Sequence, residues 1–244
     1  MVESGFLRME IAPGAYSMDQ SKGGHVHAFL LDDGTDLTLI DTLFDTDGRR
    51  VIERIGSIGR SVEDLKHIVL THAHRSHLGG LATLKRLSGA TVYSHAWEAD
   101  IVAGERTAQP VTPIPMRPLS IYWRVYYLQL GAALGRGKHP PCPVDATLED
   151  GDTVGPVRVL HTPGHTPGHL AFWWPERRVL FAGDAIATYP VFDAGWSAFT
   201  LNPTQHRASL SRMAELDMEV LAVGHGDPVT AGAAVRVRSL VEDR

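Results

Sequence analysis

A cluster of three histidines within six residues constrains this chain more than any other feature of its sequence. The cluster follows residues 68–70, a short and wholly apolar run that is typical of a strand buried on both faces. Residues two apart on an extended chain point to the same side, so His72 and His74 can converge on one ion. His77 follows as the chain turns into the next helix, and it can face a second ion. Because imidazole is a favoured ligand of zinc and other first-row metals, the cluster predicts a metal site at a strand end.

Segments with strand-like and helix-like spacing of apolar residues alternate along the rest of the chain. This alternation predicts an α/β layered domain in which helices cover the faces of a sheet. A chain of 244 residues can bury one sizeable core, and no break in composition divides it, so we expect a single domain over residues 1–244. Strands are expected at residues 6–11, 25–31, 37–40, 68–70, 91–94, 157–160, 170–174, 179–181 and 220–223, and helices at 47–58, 79–87, 203–216 and 231–241.

Residues 104–143 differ in character from the segments on either side. Proline and arginine are frequent at the ends of this segment, and its centre is apolar and aromatic, with Trp123, Tyr126 and Tyr127 among its residues. The pattern predicts a helical insert that forms a cap on the domain. Four roles are open for it: a lid over a substrate pocket, a contact in a homodimer, a helix resting on a membrane surface, or simple packing on the domain.

The bulk composition excludes several classes of partner. A formal net charge of −5 provides no basic surface for nucleic acid. No uninterrupted apolar stretch approaches the roughly 18 residues that would span a bilayer, so no stable membrane insertion is expected. The N-terminus has no basic segment followed by an apolar run, which makes a cytoplasmic location the expectation. Cys142 is the single cysteine, so no disulfide within the chain is expected.

Three further motifs follow the histidine cluster. Residues 162–169 read Thr-Pro-Gly-His-Thr-Pro-Gly-His, residues 181–184 read Phe-Ala-Gly-Asp, and residues 224–227 read Gly-His-Gly-Asp. Together with His-Ala-His-Arg-Ser-His-Leu-Gly-Gly at 72–80, they resemble the metallo-β-lactamase superfamily. That family carries H-x-H-x-D-H after a buried strand, and then a later His, an Asp and a final His. The resemblance covers about residues 20–230 and implies an α/β (α+β) fold, a four-layer αββα sandwich, here with an inserted helical cap.

The resemblance also implies six metal ligands, delivered to one edge of the sandwich by four strand ends. Three imidazoles would form a first metal site, a carboxylate would bridge to a second site and take part in catalysis, and two further imidazoles would complete the second site. The first-site imidazoles would be those of His72, His74 and His165, and the bridging carboxylate would be that of Asp184. The imidazoles that complete the second site would be those of His77 and His225.

Two further residues have a functional and a plain structural interpretation. Asp41 stands where the family has an acidic residue near the metal loop, and it either orients a ligand histidine or caps a strand end. Tyr189, five residues after Asp184, either donates a hydrogen bond to a developing oxyanion or packs in the core. His161 and His169 are expected to be packing or outer groups rather than ligands.

The chain departs from the family pattern at Ser76, where the family has an aspartate ligand of the second metal. A serine hydroxyl is neutral and a poor ligand for a divalent cation. We therefore expect an intact first site and a weakened second site. Three outcomes are open: both metals with water filling the gap, one metal, or a fold that has lost hydrolysis.

The expected function is that of a metal-dependent hydrolase that uses a metal-activated water. The expected cofactor is Zn²⁺, as one or two ions, with iron or manganese as alternatives. The resemblance is to the glyoxalase II-like and lactonase-like branch, and the substrate is expected to be a small, partly hydrophobic ester, lactone, thioester or β-lactam-like molecule. Only nineteen residues follow His225, so the helical region that binds glutathione in glyoxalase II is not expected.

Two other functions stay open. A mononuclear iron dioxygenase resembling persulfide dioxygenases uses two histidines and one carboxylate, and loss of the second-site aspartate is compatible with it. A non-catalytic binding protein could retain the same fold. Nuclease activity is disfavoured by the acidic charge.

Overall fold

Two β-sheets pack face to face at the centre of the computed structural model, which describes residues 9–109, 119, 123, 127 and 139–242. Sheet 1 has seven strands in the order β1 to β7, and sheet 2 has five in the order β12-β11-β10-β9-β8. The strands of sheet 1 are β1 (Glu10–Ala12), β2 (Ala15–Gln20), β3 (Val26–Asp32), β4 (Leu37–Ile40), β5 (Leu65–Val69), β6 (Thr91–Ser94) and β7 (Ala146–Thr147). Those of sheet 2 are β8 (Thr153–Val154), β9 (Val157–His161), β10 (Leu170–Trp174), β11 (Val179–Phe181) and β12 (Val220–Ala222).

The helices cover the outer face of each sheet. Among the described residues these are α2 (Arg49–Ser57), α3 (Leu81–Ser88), α4 (Ala96–Val102), α5 (Pro203–Ala214) and α6 (Ala233–Glu242), whereas α1 (Lys22–His25) is a short turn before β3 that buries no residue. Helices α2, α3 and α4 contribute to one hydrophobic cluster with sheet 1, and α5 and α6 to another with sheet 2. This arrangement confirms the predicted four-layer αββα sandwich.

Strand β3 shows why the sheets need a helix on one side and a sheet on the other. Side chains alternate across a strand, and at residues 28–31 of β3 both alternating sets are apolar and buried. Phe29 and Leu31 face the core between the sheets, whereas Ala28 and Leu30 face the helical layer. The Phe29 ring lies 5.2 Å from the Phe181 ring of the opposite sheet, which joins the two sheets at their centre.

Parallel pairing brings the functional loops to one edge. In sheet 1, four consecutive strands are parallel to one another, β4 to β7. In sheet 2, β11 is parallel to β12. β9 runs in the same direction as β11, because both are antiparallel to β10. The carboxyl ends of β4, β5, β9, β11 and β12 therefore lie at the same edge, where α/β proteins place their sites.

The predicted elements are found in order, and their ends differ by a few residues. Residues 6–8 of the predicted first strand lie outside the described residues. Strand β2 was not predicted, because its buried Ser17 and Gln20 break the apolar alternation. Helix α4 was also missed, because its buried face carries Glu98 between apolar positions. The two-residue strands β7 and β8 are too short to leave a pattern.

The predicted insert at residues 104–143 lies largely outside the described residues, and Tyr126 with it. Of its centre, Leu119, Trp123 and Tyr127 are helical and more than half exposed, and the rings of Trp123 and Tyr127 lie 6.3 Å apart. The role of the insert and the single-domain assignment stay predictions. Within the described part of the chain, no helix is both long enough and apolar enough to cross a bilayer.

The sandwich predicts a large difference between two leucine-to-alanine substitutions. Leu39, in β4, is fully buried, whereas Leu87, in α3, is 39% exposed. Leu39→Ala should lower the free energy of unfolding by about 2–5 kcal/mol, because it removes transfer energy and leaves a cavity. Leu87→Ala should change it by less than about 1 kcal/mol. Urea unfolding followed by circular dichroism measures both, and equal losses would contradict the layered core.

Candidate metal centre

The histidine loop after β5 is held by backbone and side-chain contacts with neighbouring loops. Thr71 donates its backbone N–H to Asp41 Oδ1 at 2.9 Å and its hydroxyl to Asp41 Oδ2 at 2.8 Å. Gly79 lies so close to the next loop that a Cβ atom would stand 2.1 Å from the carbonyl oxygen of Phe44. The Gly-Gly pair after the histidines therefore permits a close approach of two backbones that no other residue allows.

The first group of donor atoms lies in this loop and two others. His72 Nε2 and His165 Nε2 lie 2.9 and 3.1 Å from His74 Nδ1, and each lies 3.6 Å from Asp184 Oδ2. Four ligands of a tetrahedral zinc ion, each about 2.1 Å from it, stand roughly 3.4 Å apart. The spacing of these four atoms therefore fits a single ion among them.

The protonation states also fit metal binding. Burial lowers the pKa of His72 and His165 well below 6.5 and that of His74 to about 4, so all three imidazoles are neutral and present lone pairs. Burial opposes ionisation of Asp184, but the imidazoles around it, above all His225 and His77, hold the pKa of its carboxyl well below the usual range. Neutral imidazole and carboxylate are the forms that bind metal ions.

The second group consists of His77, Asp184 and His225, with Asp184 shared between the two groups. His77 Nε2 lies 3.4 Å from Asp184 Oδ1, and His225 Nε2 lies 3.2 Å from Asp184 Oδ2. Neither His77 Nε2 nor Asp184 Oδ1, both buried, has a hydrogen-bond partner among the described residues. Burial alone would lower the pKa of His77, but Asp184 and Asp41 raise it to about 10, so an ion bound here would displace a proton.

The whole arrangement matches one family. The family model described as the metallo-beta-lactamase superfamily matches residues 21–225. The chain belongs to this superfamily. The match confirms the resemblance drawn from the four motifs and includes every residue of the two donor groups.

Three similar proteins show the range of this superfamily. The probable metallo-hydrolase YflN of Bacillus subtilis is 31% identical over 68% of this chain and 66% of its own length. The hydroxyacylglutathione hydrolase of Pseudomonas aeruginosa is 32% identical over 62% of this chain, which spans only 43% of that enzyme. The structure of TTHA1623 in a di-iron-bound form is 26% identical, covers 91% of this chain and 98% of its own, and has a TM-score of 0.65.

An outer layer of hydrogen bonds orients the donor groups of this superfamily member. Asp41 Oδ2 lies 2.9 Å from His77 Nδ1. His225 Nδ1 donates to the carbonyl oxygen of Gly24 at 2.9 Å, in the turn of α1 that precedes β3. These bonds hold the outer nitrogen of each ring and leave Nε2 facing Asp184.

The two remaining histidines of the 161–169 segment lie outside the donor groups. His169 Nε2 accepts a hydrogen bond from the backbone N–H of Asp184 at 3.1 Å, and its Nδ1 lies 2.8 Å from the Thr162 hydroxyl. It thereby ties the loop that carries Asp184 to the loop that carries His165. His161 stacks on His95 at 4.6 Å and contacts the carbonyl of Pro167.

Two aromatic residues beside the donor groups were missed at the sequence level. Trp196 stacks on His225 with the rings 4.3 Å apart, and Phe199 packs on the edge of His74 at 5.6 Å. Both are half-buried. No motif marks them, and the available signal was two aromatic rings in an otherwise small and polar stretch after Asp184.

The structure also places the two other residues singled out from the sequence, Tyr189 and Ser76. The Tyr189 ring lies 4.4 Å from the ring of His25, and its phenol makes no hydrogen bond to another described residue, so its role toward an oxyanion stays a prediction. Ser76 is half-buried in the turn before His77. In the described part of the chain, Asp184 is the one carboxylate of the second donor group.

The contacts of Asp41 predict a stability effect that does not depend on metal. Asp41→Ala should lower the free energy of unfolding by about 3 kcal/mol, because the buried Thr71 N–H loses its acceptor and alanine is strained at the φ of 59° found here. Asp41→Asn keeps an acceptor and tolerates this backbone conformation, so its loss should be about 1 kcal/mol.

Asp217→Ala is the control for this substitution, because the side chain of Asp217 is 83% exposed and its ion pair with Arg178 lies on the surface. Urea unfolding of all three variants gives the comparison. A stability of Asp41→Ala equal to that of Asp217→Ala would show that the Asp41 contacts do not hold the loop.

Proposed function

We propose that this protein is a metal-dependent hydrolase of small ester, lactone, thioester or β-lactam-like substrates, with Zn²⁺ as its cofactor. The observation that carries the proposal is the convergence of three neutral imidazoles and an ionised carboxylate on one point, with two more imidazoles beside it. The metallo-hydrolase and hydroxyacylglutathione hydrolase relatives support the same reaction class.

The side chains divide the work between binding and orientation. His72, His74 and His165 would hold the ion through three nitrogen atoms, and Asp184 would reach both donor groups through its two oxygens. A zinc ion held there would lower the pKa of a coordinated water to about 7 and would polarise a carbonyl oxygen. Asp184 Oδ1 has no hydrogen-bond partner among the described residues and lies 3.4 Å from His77 Nε2, so this oxygen faces the second donor group.

The aromatic pair beside the donor groups supports a partly hydrophobic substrate. Trp196 and Phe199 lie 5.6 Å apart and each touches an imidazole of the centre. Their half-buried faces would gain from covering an apolar acyl or ring substituent, at about 25 cal/mol for each Å² of apolar surface removed from water. We also propose that the protein acts on this small molecule in the cytoplasm and that it assembles as a homodimer.

The number of ions depends on Ser76. The first donor group offers three imidazoles, a set that can hold a catalytic zinc ion with one position left for water, and the shared Asp184 carboxylate beside them. The second offers two imidazoles and the shared carboxylate, so its ion would be held more weakly. We propose one tightly bound ion and one weakly bound ion.

A second candidate function is a mononuclear iron dioxygenase acting on a persulfide. Two observations favour it: the similar protein TTHA1623 was solved with iron bound, as a di-iron form, and the second donor group here consists of two imidazoles and one carboxylate, the ligand set of mononuclear iron oxygenases. Iron content of the purified protein and oxygen consumption with a persulfide separate this candidate from the hydrolase. Turnover of an ester without oxygen consumption excludes it.

The hydrolase proposal predicts that His72→Asn lowers kcat/KM at least about a hundredfold, because the ion loses one of its ligands. His67→Asn is the matched control, since His67 is a half-buried histidine in the middle of the same strand, β5, and belongs to neither donor group. The measurement is hydrolysis of a panel of p-nitrophenyl esters, lactones and thioesters by the zinc-loaded proteins, with metal content determined in parallel. Full activity of His72→Asn, or of wild type after removal of all metal, would refute the proposal.

The weak second site predicts a gain of metal binding on Ser76→Asp. A carboxylate restored at this position should tighten the second ion at least about tenfold, because it adds an anionic oxygen ligand. Ser239→Asp adds the same charge on the exposed face of α6 and should leave binding unchanged. Calorimetric titration of the metal-free proteins with zinc gives the number and affinity of sites. Two equally tight ions in wild type would contradict the prediction.

A further inference from the structure

Glu98, in the first turns of helix α4, is a buried carboxyl group that the proposed chemistry does not use. Its side chain is 1% exposed, and it lies on the face of α4 that also buries Ile101 and Val102. An apolar residue would fill such a position without the cost of removing a carboxyl group from water. Hydrogen bonds to the buried carboxyl group must therefore offset that cost.

The contacts of Glu98 reach two different loops of the metal centre. Its Oε2 accepts a hydrogen bond from the backbone N–H of Ala73 at 3.0 Å. Its Oε1 accepts a hydrogen bond from the hydroxyl of Thr166. The backbone N–H of Gly168 is a third donor to this carboxyl group.

Each partner lies next to a donor of the first group in the sequence. Ala73 stands between His72 and His74, and Thr166 follows His165. One carboxyl group therefore joins the β5 loop and the β9 loop, which together supply all three imidazoles of the first group. The donor atoms of the two loops meet at 3.1 Å, between His165 Nε2 and His74 Nδ1.

The glycine at 168 shows how closely this loop approaches the carboxyl group. A Cβ atom at Gly168 would lie 2.9 Å from Glu98 Cγ and 2.9 Å from Glu98 Oε1, so only glycine fits against this side chain. Helix α4 is itself secured at both ends. His95 caps its start by accepting from Trp97 N, and Arg106 pairs with Asp100 and lies over the Trp97 ring. Glu98 thus projects from a fixed element.

We propose that Glu98 is a positioning residue that fixes the spacing between the two loops of the first donor group, and thereby raises the affinity of that group for its metal ion. The inference rests on the proposed function, because it takes the first group to be a metal site. Without the carboxyl group, the Ala73 N–H and the Thr166 hydroxyl lose their shared acceptor, and the two loops can separate when no ion is bound.

The test is the zinc affinity of folded, metal-free protein, measured by competition with a chromogenic chelator. Glu98→Ala should weaken zinc binding roughly 10-fold, the lower end of the effect of removing a direct partner of a ligand, because Glu98 bonds the residues next to the ligands. Glu98→Gln keeps one acceptor oxygen and the same size, but its amide N–H₂ faces another donor, so a smaller loss is expected. If Glu98→Ala does not fold, Glu98→Gln still gives the answer.

Asp145→Asn is the matched control. Asp145 also joins two segments, because its carboxylate accepts from Val92 N–H and pairs with Lys85, but it touches neither loop of the first donor group. Urea unfolding of each metal-free variant separates a loss of overall stability from a loss of metal affinity. Asp145→Asn should lower the unfolding free energy and leave the zinc Kd unchanged.

The outcomes distinguish the inference from the proposed function. A zinc Kd raised in both Glu98 variants, with the Asp145→Asn value unchanged, supports the inference. Equal zinc Kd values for wild type and both Glu98 variants overturn the inference and leave the hydrolase proposal standing. A wild-type protein that binds no divalent metal overturns both.

Discussion

The structure depends on the burial of Asp184 among four imidazoles. Its two oxygens lie 3.2–3.6 Å from nitrogen atoms of His72, His77, His165 and His225, and all five side chains are at most 6% exposed. The neutral imidazoles of the first donor group, His72, His74 and His165, point lone pairs at one another and at this carboxylate, which is repulsive, and a cation among them reverses the sign of that interaction. The binding of a cation therefore offsets the cost of burying such a cluster in the core.

Such a cluster has to be assembled by a rigid frame, since its members come from loops far apart in the sequence. The sandwich supplies this frame through parallel pairing, which places the carboxyl ends of five strands at one edge. Hydrogen bonds between the loops then set the final spacing. Asp41 joins the β4 and β5 loops, His169 joins the β9 and β11 loops, and Glu98 joins the β5 and β9 loops. The outer layer is as much a part of the centre as the donor atoms.

Much of the fold could be predicted from the sequence, because apolar periodicity reports which faces of an element are buried. Strands such as β3 and β11 were found in this way, since both of their faces are apolar. The elements that were missed carry polar residues at buried positions. Ser17 and Gln20 conceal β2, and Glu98 conceals α4. In both cases the buried polar group contacts a partner distant in the chain, and periodicity within one segment contains no information on that partner.

The sequence by itself determined the kind of chemistry: histidines and an aspartate at motif spacing, in an order that one superfamily shares, and a serine where that family has an aspartate. The tertiary structure decided which atoms face one another. It brought Trp196 and Phe199 against the imidazoles and Glu98 between two loops, contacts that join residues 25 to 125 positions apart. The physical reason is that motif spacing reflects the local path of the backbone, whereas contacts between loops follow from how two sheets and their helices pack.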